Sequence, residues 1–280
     1  MELAVEAEER QFGMWELDRL GPNGEIAVAT FSRRPRNLMN FEGMAQLERL
    51  ANAVAADESI NLLILTGGLA GYFVGHADID DLTRLTDRDQ LEGVDAAVWP
   101  RTFARLRSMP QPVVAAINGQ AWGGGCEVAL AATMRVAAES SHLAQVEISL
   151  GLIPGAGGTQ WLPRLVGLGR ATEIILSGRV VGAAEALAIN LVEAVFPDEG
   201  FLDAVVEWSL PMATQPRHAI VAAKQSILGA FELPLDEGLL QESRLFMRCQ
   251  RRPDTVAREH AMLDRYREAS PEDHVHFSGL

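Results

Sequence analysis

The stretch AWGGGCEVAL, residues 121–130, decides how the chain is read. Three glycines, Gly123, Gly124 and Gly125, run directly into an apolar segment of helical character in which Glu127 is the one charged residue. A carboxylate among apolar neighbours is costly to bury unless something engages it. Glycines that open a helix serve either of two ends. They bare the unpaired N–H groups of the first turn, where the helix dipole is positive and a developing oxyanion can be held. Alternatively, they let a helix and a strand pack closely through small residues. Taken alone, the stretch fits both.

Outward from it, INLLILTG (60–67) and PVVAAING (112–119) are short apolar runs ending in glycine, as buried parallel strands are. GEIAVATF (24–31) alternates like a strand, and MRVAAES (134–140) is a further inner-strand candidate. Residues 43–56 place Met44, Leu47, Leu50, Ala51 and Val54 on one helical face, and residues 81–109 read as a polar to mixed helix. Beyond GLIPGAGGTQWLPRLVG (151–167) the pattern turns helical, with segments at 182–189, 201–213, 216–230, 236–250 and 254–268. Strands alternating with helices, then helices alone, predict an α/β core over 1–205 and a helical C-terminal region over 206–280.

Composition narrows the function classes. With 48% hydrophobic and 22% charged residues, the chain has the make-up of a globular protein with a substantial core. No apolar run is long enough to span a bilayer, and MELAVEAEER lacks the basic-then-apolar pattern of a signal peptide, so a cytoplasmic location is expected. A net charge of −14 opposes nucleic acid or an anionic membrane as partner. Two cysteines, Cys126 and Cys249, suggest neither a disulfide framework nor a zinc site, and His142, His218, His260, His274 and His276 form no metal-ligand pattern. The single lysine, Lys224, is not singled out for Schiff-base chemistry. GAGGTQ lacks the lysine of a phosphate-binding loop, and no G-x-S-x-G elbow occurs. Arg244, Arg248, Arg251 and Arg252 follow a spacing that would align them on one helical face, either solvated or subunit-contacting, or a site for an anion.

Two further stretches resolve the glycine run. YFVGHADIDDL (72–82) follows a predicted strand, and QVEISLGLIPGAGGTQ (145–160) sets Glu147 just before a glycine-rich turn. Together the three stretches resemble the crotonase superfamily of enoyl-CoA hydratases and isomerases. Residues 73–78 match F-x-A-G-A-D, residues 118–128 match N-G-x-A-x-G-G-G-x-E-L with Val128 for leucine, and residues 146–160 match P-E-x-x-L-G-x-x-P-G-x-G-G-T-Q with Val146 for proline. A looser similarity runs from about residue 12 to 250.

The resemblance implies a crotonase-like spiral of ββα units with a helical C-terminal region for self-association as a trimer or dimer of trimers. It implies an oxyanion hole for the thioester carbonyl of an acyl-CoA, at the N–H groups of Ala77 and Gly124. It also implies two hydratase glutamates: Glu127 to orient and deprotonate water, Glu147 to transfer a proton at the α carbon. The same matching places Gly75, His76, Asp78, Gly123, Pro154 and Gly155 along the substrate path. Arg36, in RRPRNLMN (33–40), is a candidate contact for a CoA phosphate. CoA is part of the substrate, and no metal or redox cofactor is implied. Independently of the family, two carboxyls that share one proton suit the addition of water across a conjugated double bond, which needs a base and an acid together. The expected activity is hydration of a trans-2-enoyl-CoA. Double-bond isomerisation, another acyl-CoA reaction of the superfamily, and a non-catalytic acyl-CoA-binding role are the alternatives.

The chain departs from the pattern in several places. His76 stands where most relatives carry glycine, and either alters the ligand path or loop angles or is itself catalytic. Thr133 replaces a common aspartate, with an effect expected on structure. RCQRRPDTVAREHAML replaces the usual acidic, glycine-containing run before the last helix, with the arginine cluster as a conceivable substitute for lost CoA contacts. Within the distinctive segment 84–105, Trp99 and Phe103 either line the acyl pocket or belong to the core, and the core reading is preferred.

Overall fold

The computed structural model describes residues 11–85, 95–277 and 279. The first ten residues, and the part of the predicted 81–109 helix that falls on 86–94, lie outside the described residues.

The chain opens with β1 (Gln11–Phe12), β2 (Trp15–Leu20) and β3 (Ile26–Phe31), an antiparallel meander. Helix α1 (Phe41–Ala56) starts at Asn40, whose side chain accepts a hydrogen bond from the Gly43 N–H. Three successive strand pairs follow. β4 (Leu62–Gly67) is followed by β5 (Gly71–Tyr72) and the helices α2 (Ile79–Arg84) and α3 (Val98–Ser108). β6 (Val113–Ile117) leads through β7 (Gly119–Trp122) into α4 (Gly124–Ala131). β8 (Met134–Ala138) leads through β9 (His142–Ala144) to a short 3-10 turn, Glu147–Leu150, and then α5 (Gly158–Val166) and α6 (Leu168–Ser177). In each pair one strand joins each of two sheets, so the ββα unit repeats and advances by one strand per turn.

After these come β10 (Val180–Gly182), α7 (Ala183–Ala188), β11 (Ala194–Phe196) and α8 (Phe201–Ala213). The larger sheet has the order β1-β2-β3-β4-β6-β8-β11 and is parallel from β3 onward; the smaller has the order β10-β9-β7-β5. Adjacent turns are tied at the corner between sheets. The Asn118 side chain donates to Gly67 O at 2.7 Å and accepts from Gly67 N at 3.1 Å.

Both faces of the inner strands are covered, which is why those strands read as unbroken apolar runs. Ala27, Ala29, Leu63, Leu65, Val113 and Ala115 belong to the core shared with α1, α3 and α4. Their alternates Ile26, Val28, Leu62, Ile64, Val114 and Ala116 pack with Phe201, Val205 and Ala213 of α8. Thr133 Oγ1 accepts a hydrogen bond from Val113 N at 3.0 Å, a structural tie between the end of α4 and β6.

The chain divides after Gln215, at the end of α8. The second unit holds α9 (Arg217–Gly229), α10 (Leu235–Gln250) and α11 (Pro253–Glu268), with α10 packed against both others. The expected arginine face does not form. Pro253 disfavours helical backbone at Arg252, so α10 stops at Gln250 and only Arg244 and Arg248 lie on it. Arg252 instead pairs with Asp254 at 3.1 Å. No helix among the described residues is long and apolar enough to cross a membrane.

Candidate active site

Each glycine of the opening stretch has its own reason. Gly123 precedes α4 with φ +49°, a conformation that disfavours side chains, and a Cβ there would stand 3.1 Å from Glu147 Oε1. A Cβ on Gly124 would meet the Ala77 Cβ and the Trp99 ring, both at 3.0 Å. A Cβ on Gly125 would lie 2.0 Å from the carbonyl oxygen of Val74, which no side chain tolerates. The glycines of the run thus differ in what they do. Gly125 gives close packing; Gly123 and Gly124 keep a surface open beside a carboxylate.

Two N–H groups face that surface unengaged. The loop at Ala77 runs parallel to Met39, with Met39 N donating to His76 O at 2.9 Å and Asp78 N to Met39 O at 2.7 Å. Ala77 N–H therefore points to the other side of the loop, and among the described residues it donates to nothing. Gly124 is the first residue of α4, so its N–H lacks a helical acceptor, and it too has no partner among the described residues. The Cβ distance given above places Ala77 beside Gly124.

Glu127, in the first turn of α4, is 3% exposed. Its Oε1 accepts hydrogen bonds from Ala156 N at 2.7 Å and Gly158 N at 2.9 Å. The glycine-rich turn 155–158 thus exists to hold this carboxylate, with Gly157 at φ +118° turning the chain. Oε2 has no hydrogen bond among the described residues. Burial pushes the Glu127 carboxyl above its ordinary range, against the opposing effect of the two N–H bonds. Glu147, half-buried in the 3-10 turn, is pushed up to about 7, chiefly by burial and further by the charge of Glu127. Gln145, buried beside it, donates to Glu147 Oε2 at 3.1 Å and Oε1 at 3.2 Å when its amide nitrogen is turned that way. Both charges also help to hold the adjacent Cys126 thiol protonated, an effect led by burial.

These groups open into one cleft of about 880 Å³. Of the residues singled out in the sequence, Arg36, His76, Ala77, Gly123, Gly124, Glu127, Glu147 and Gly155 line it. Gly75, Asp78 and Pro154 do not line it, and each is otherwise engaged. Gly75 donates to Asn37 O at 2.9 Å and accepts from Trp122 N at 3.1 Å, and a Cβ there would meet Arg36 O at 2.3 Å. Asp78 caps α2 through Asp80 N and pairs with Arg33 at 2.6 Å. Pro154 is buried against the turn near Gly158.

His76 points Nδ1 at the carbonyl oxygen of Ala77, 2.6 Å away, which makes it a brace for the loop. Trp99 packs against the core, as read from the sequence, and lines the cleft as well. Its ring lines the cleft over Gly124, where the missing side chain leaves room, while Phe103 is buried. The two meet edge to face at 5.8 Å, and Phe103 meets Trp161 at 5.7 Å. The parts that sequence reasoning missed are Ala156, Gly158 and Gln145. The run GAGG was the available signal for the first two, and nothing local marked Gln145. Among the described residues, no three of His, Cys, Asp or Glu cluster closely enough to hold a metal ion.

Known proteins place this arrangement. The family of enoyl-CoA hydratases and isomerases matches residues 21–272. A 2,3-dehydroadipyl-CoA hydratase of Escherichia coli is 37% identical over 222 residues, 79% of this chain and 85% of that protein. A short-chain-enoyl-CoA hydratase of Clostridium acetobutylicum is 32% identical, covering 82% of this chain and 88% of its own. The crystal structure of an enoyl-CoA hydratase from Bacillus anthracis superposes with a TM-score of 0.84 at 31% identity, over 90% of this chain and 96% of that one. With the motifs, the two-sheet ββα spiral and the paired carboxylates, these matches make the chain an enzyme of the enoyl-CoA hydratase/isomerase family, within the crotonase superfamily.

Proposed function

We propose that the chain reversibly adds water, with syn geometry, to trans-2-enoyl-CoA thioesters, giving 3-hydroxyacyl-CoA. The observation that carries this reading is the pairing of two desolvated carboxyls, Glu127 and Glu147, with the unengaged N–H groups of Ala77 and Gly124 in one cleft. The thioester carbonyl accepts both N–H bonds, and they strengthen as an enolate forms. Glu127, anchored through Oε1, uses Oε2 to orient water and take its proton. The hydroxyl oxygen bonds to the β carbon, and the Glu147 carboxylic acid gives its proton to the α carbon. At the end of one turnover the proton has moved from Glu147 to Glu127, and exchange through solvent restores the pair.

The N–H pair supplies the electrophile, so no metal or redox cofactor enters the scheme. Moving a double bond needs only one proton-carrying group, so the two carboxyls favour hydration over isomerisation. Assembly as a trimer or dimer of trimers belongs to the same family reading. The test is the ultraviolet absorbance of crotonyl-CoA followed over time. Glu127→Gln and Glu147→Gln should each slow its decay by roughly 10²–10⁴-fold while folding and CoA binding persist. Decay unaffected by either substitution overturns the mechanism.

A further inference from the structure

We propose that His142 is a positioning residue for the cleft: by accepting the indole N–H of Trp122, it fixes the wall against which the thioester binds. The proposal rests on the acyl-CoA reading above. Strands β5, β7 and β9 lie side by side, with Tyr72 paired to Gln120 and Gln120 to His142. A strand turns alternate side chains to one face, so Gln120 and Trp122 point the same way. Tyr72, Gln120 and Trp122 all line the cleft. His142 is half-buried and is not among the described residues that line it, so it reaches a ligand only through Trp122.

Trp122 Nε1 lies 2.9 Å from His142 Nδ1, and the ring centroids are 5.4 Å apart at an interplanar angle of 51°. An indole N–H can only donate, so Nδ1 carries the lone pair and the imidazole hydrogen sits on Nε2. A tryptophan at a cleft wall meets a ligand through its N–H or through its apolar ring. The bond to His142 withdraws the first and holds the side chain in one orientation. The backbone around Trp122 is fixed separately. Trp122 N donates to Gly75 O at 3.1 Å, two residues before Ala77, and Gly123 N donates to Ala144 O at 2.8 Å. Glu127 has its own anchors at Ala156 N and Gly158 N. The reacting groups are therefore held without His142, and what its bond adds is the setting of the indole. Without that acceptor, the freed donor turns toward solvent or another acceptor in the open cleft, and a ligand must displace it. Removal should weaken binding rather than chemistry.

The experiment is a double-substitution cycle at positions 122 and 142, read by calorimetric titration of butyryl-CoA and by crotonyl-CoA hydration. His142→Leu should raise the butyryl-CoA Kd and the crotonyl-CoA KM roughly tenfold while kcat stays within about twofold. His142→Ala, which adds no bulk, carries the same expectation should the leucine variant fail to fold. His142→Asn, whose amide oxygen stands in for Nδ1, should bind within about twofold of the parent. In a Trp122→Phe background, which has no N–H to place, the same removals should change neither constant by more than about twofold. A Kd unmoved by loss of the acceptor, an equal effect in the Trp122→Phe background, or a fall in kcat with KM unchanged overturns the proposal. A parent that binds butyryl-CoA without hydrating crotonyl-CoA sinks the hydratase reading alone, and the binding cycle still decides the role of His142. A parent that does not bind butyryl-CoA overturns both.

Discussion

If, as proposed, Glu127 and Glu147 share one proton, a quantitative prediction about pH follows. In the proposed mechanism hydration uses ionised Glu127 and protonated Glu147, and dehydration uses the reverse placement. Both forms carry one proton on the pair, and since water addition releases no proton overall, kcat/KM must follow the same pH profile in both directions. With the Glu147 carboxyl pushed up to about 7, the singly protonated pair gives way to the doubly ionised pair above neutrality. Activity should then fall about tenfold per pH unit, so roughly tenfold by pH 8 and roughly hundredfold by pH 9. The assay is the initial rate with crotonyl-CoA and with 3-hydroxybutyryl-CoA at subsaturating concentration between pH 5 and 9. Glu147→Gln is the control, because it removes this titration and leaves that of the substrate phosphates. A flat profile from pH 6 to 9, or an upper inflection that survives in Glu147→Gln, refutes the shared-proton argument.

The same carboxyl bears on stability. Its folded-state proton affinity is raised above the ordinary value of 4.5, so its contribution is fully present below that pH and is lost as pH rises through about 7. Glu147→Gln removes the loss; allowing for partial exposure, its stability relative to the parent should improve by about 1–2 kcal/mol between pH 5 and pH 8 in urea unfolding, and no change would argue against the burial of the charge. Gly125→Ala would set a Cβ 2.0 Å from the Val74 carbonyl, and the displaced backbone should cost about 3 kcal/mol or more. A midpoint within experimental scatter of the parent would mean that the α4 start is not packed as described. His76→Ala deletes the 2.6 Å brace on Ala77, a loss of about 1 kcal/mol of loop order, and should lower kcat/KM roughly threefold to tenfold with folding intact. A loss of a thousandfold would make His76 a catalytic group instead.

Much of this was legible in the chain itself, for identifiable reasons. Strands buried on both faces must be apolar throughout, so Leu62–Gly67 and Val113–Ile117 announced themselves, and the amphipathic period of Phe41–Ala56 did the same for α1. The C-terminal helices were readable within a few residues because each is long enough for its period to repeat. The second sheet was not, because β5, β7, β9 and β10 have two to four residues, too few to show alternation. The arginine spacing misled because a periodicity argument ignores where the helix stops, and Pro253 stops it.

The sequence by itself determined the family and pointed to the candidate groups, Glu127 behind its glycines and Glu147 before its turn. The tertiary structure decided what those groups can do. Twenty residues separate the two glutamates, and only the advance of one ββα unit past the next sets Glu147 against Gly123 and lets the charge of one raise the proton affinity of the other. The same advance turns the N–H groups of the 155–158 loop onto Glu127 Oε1, brings Ala77 beside Gly124, and lays Trp99 over the glycine in the cleft. Proximity and desolvation are properties of space, and spacing along a chain carries neither.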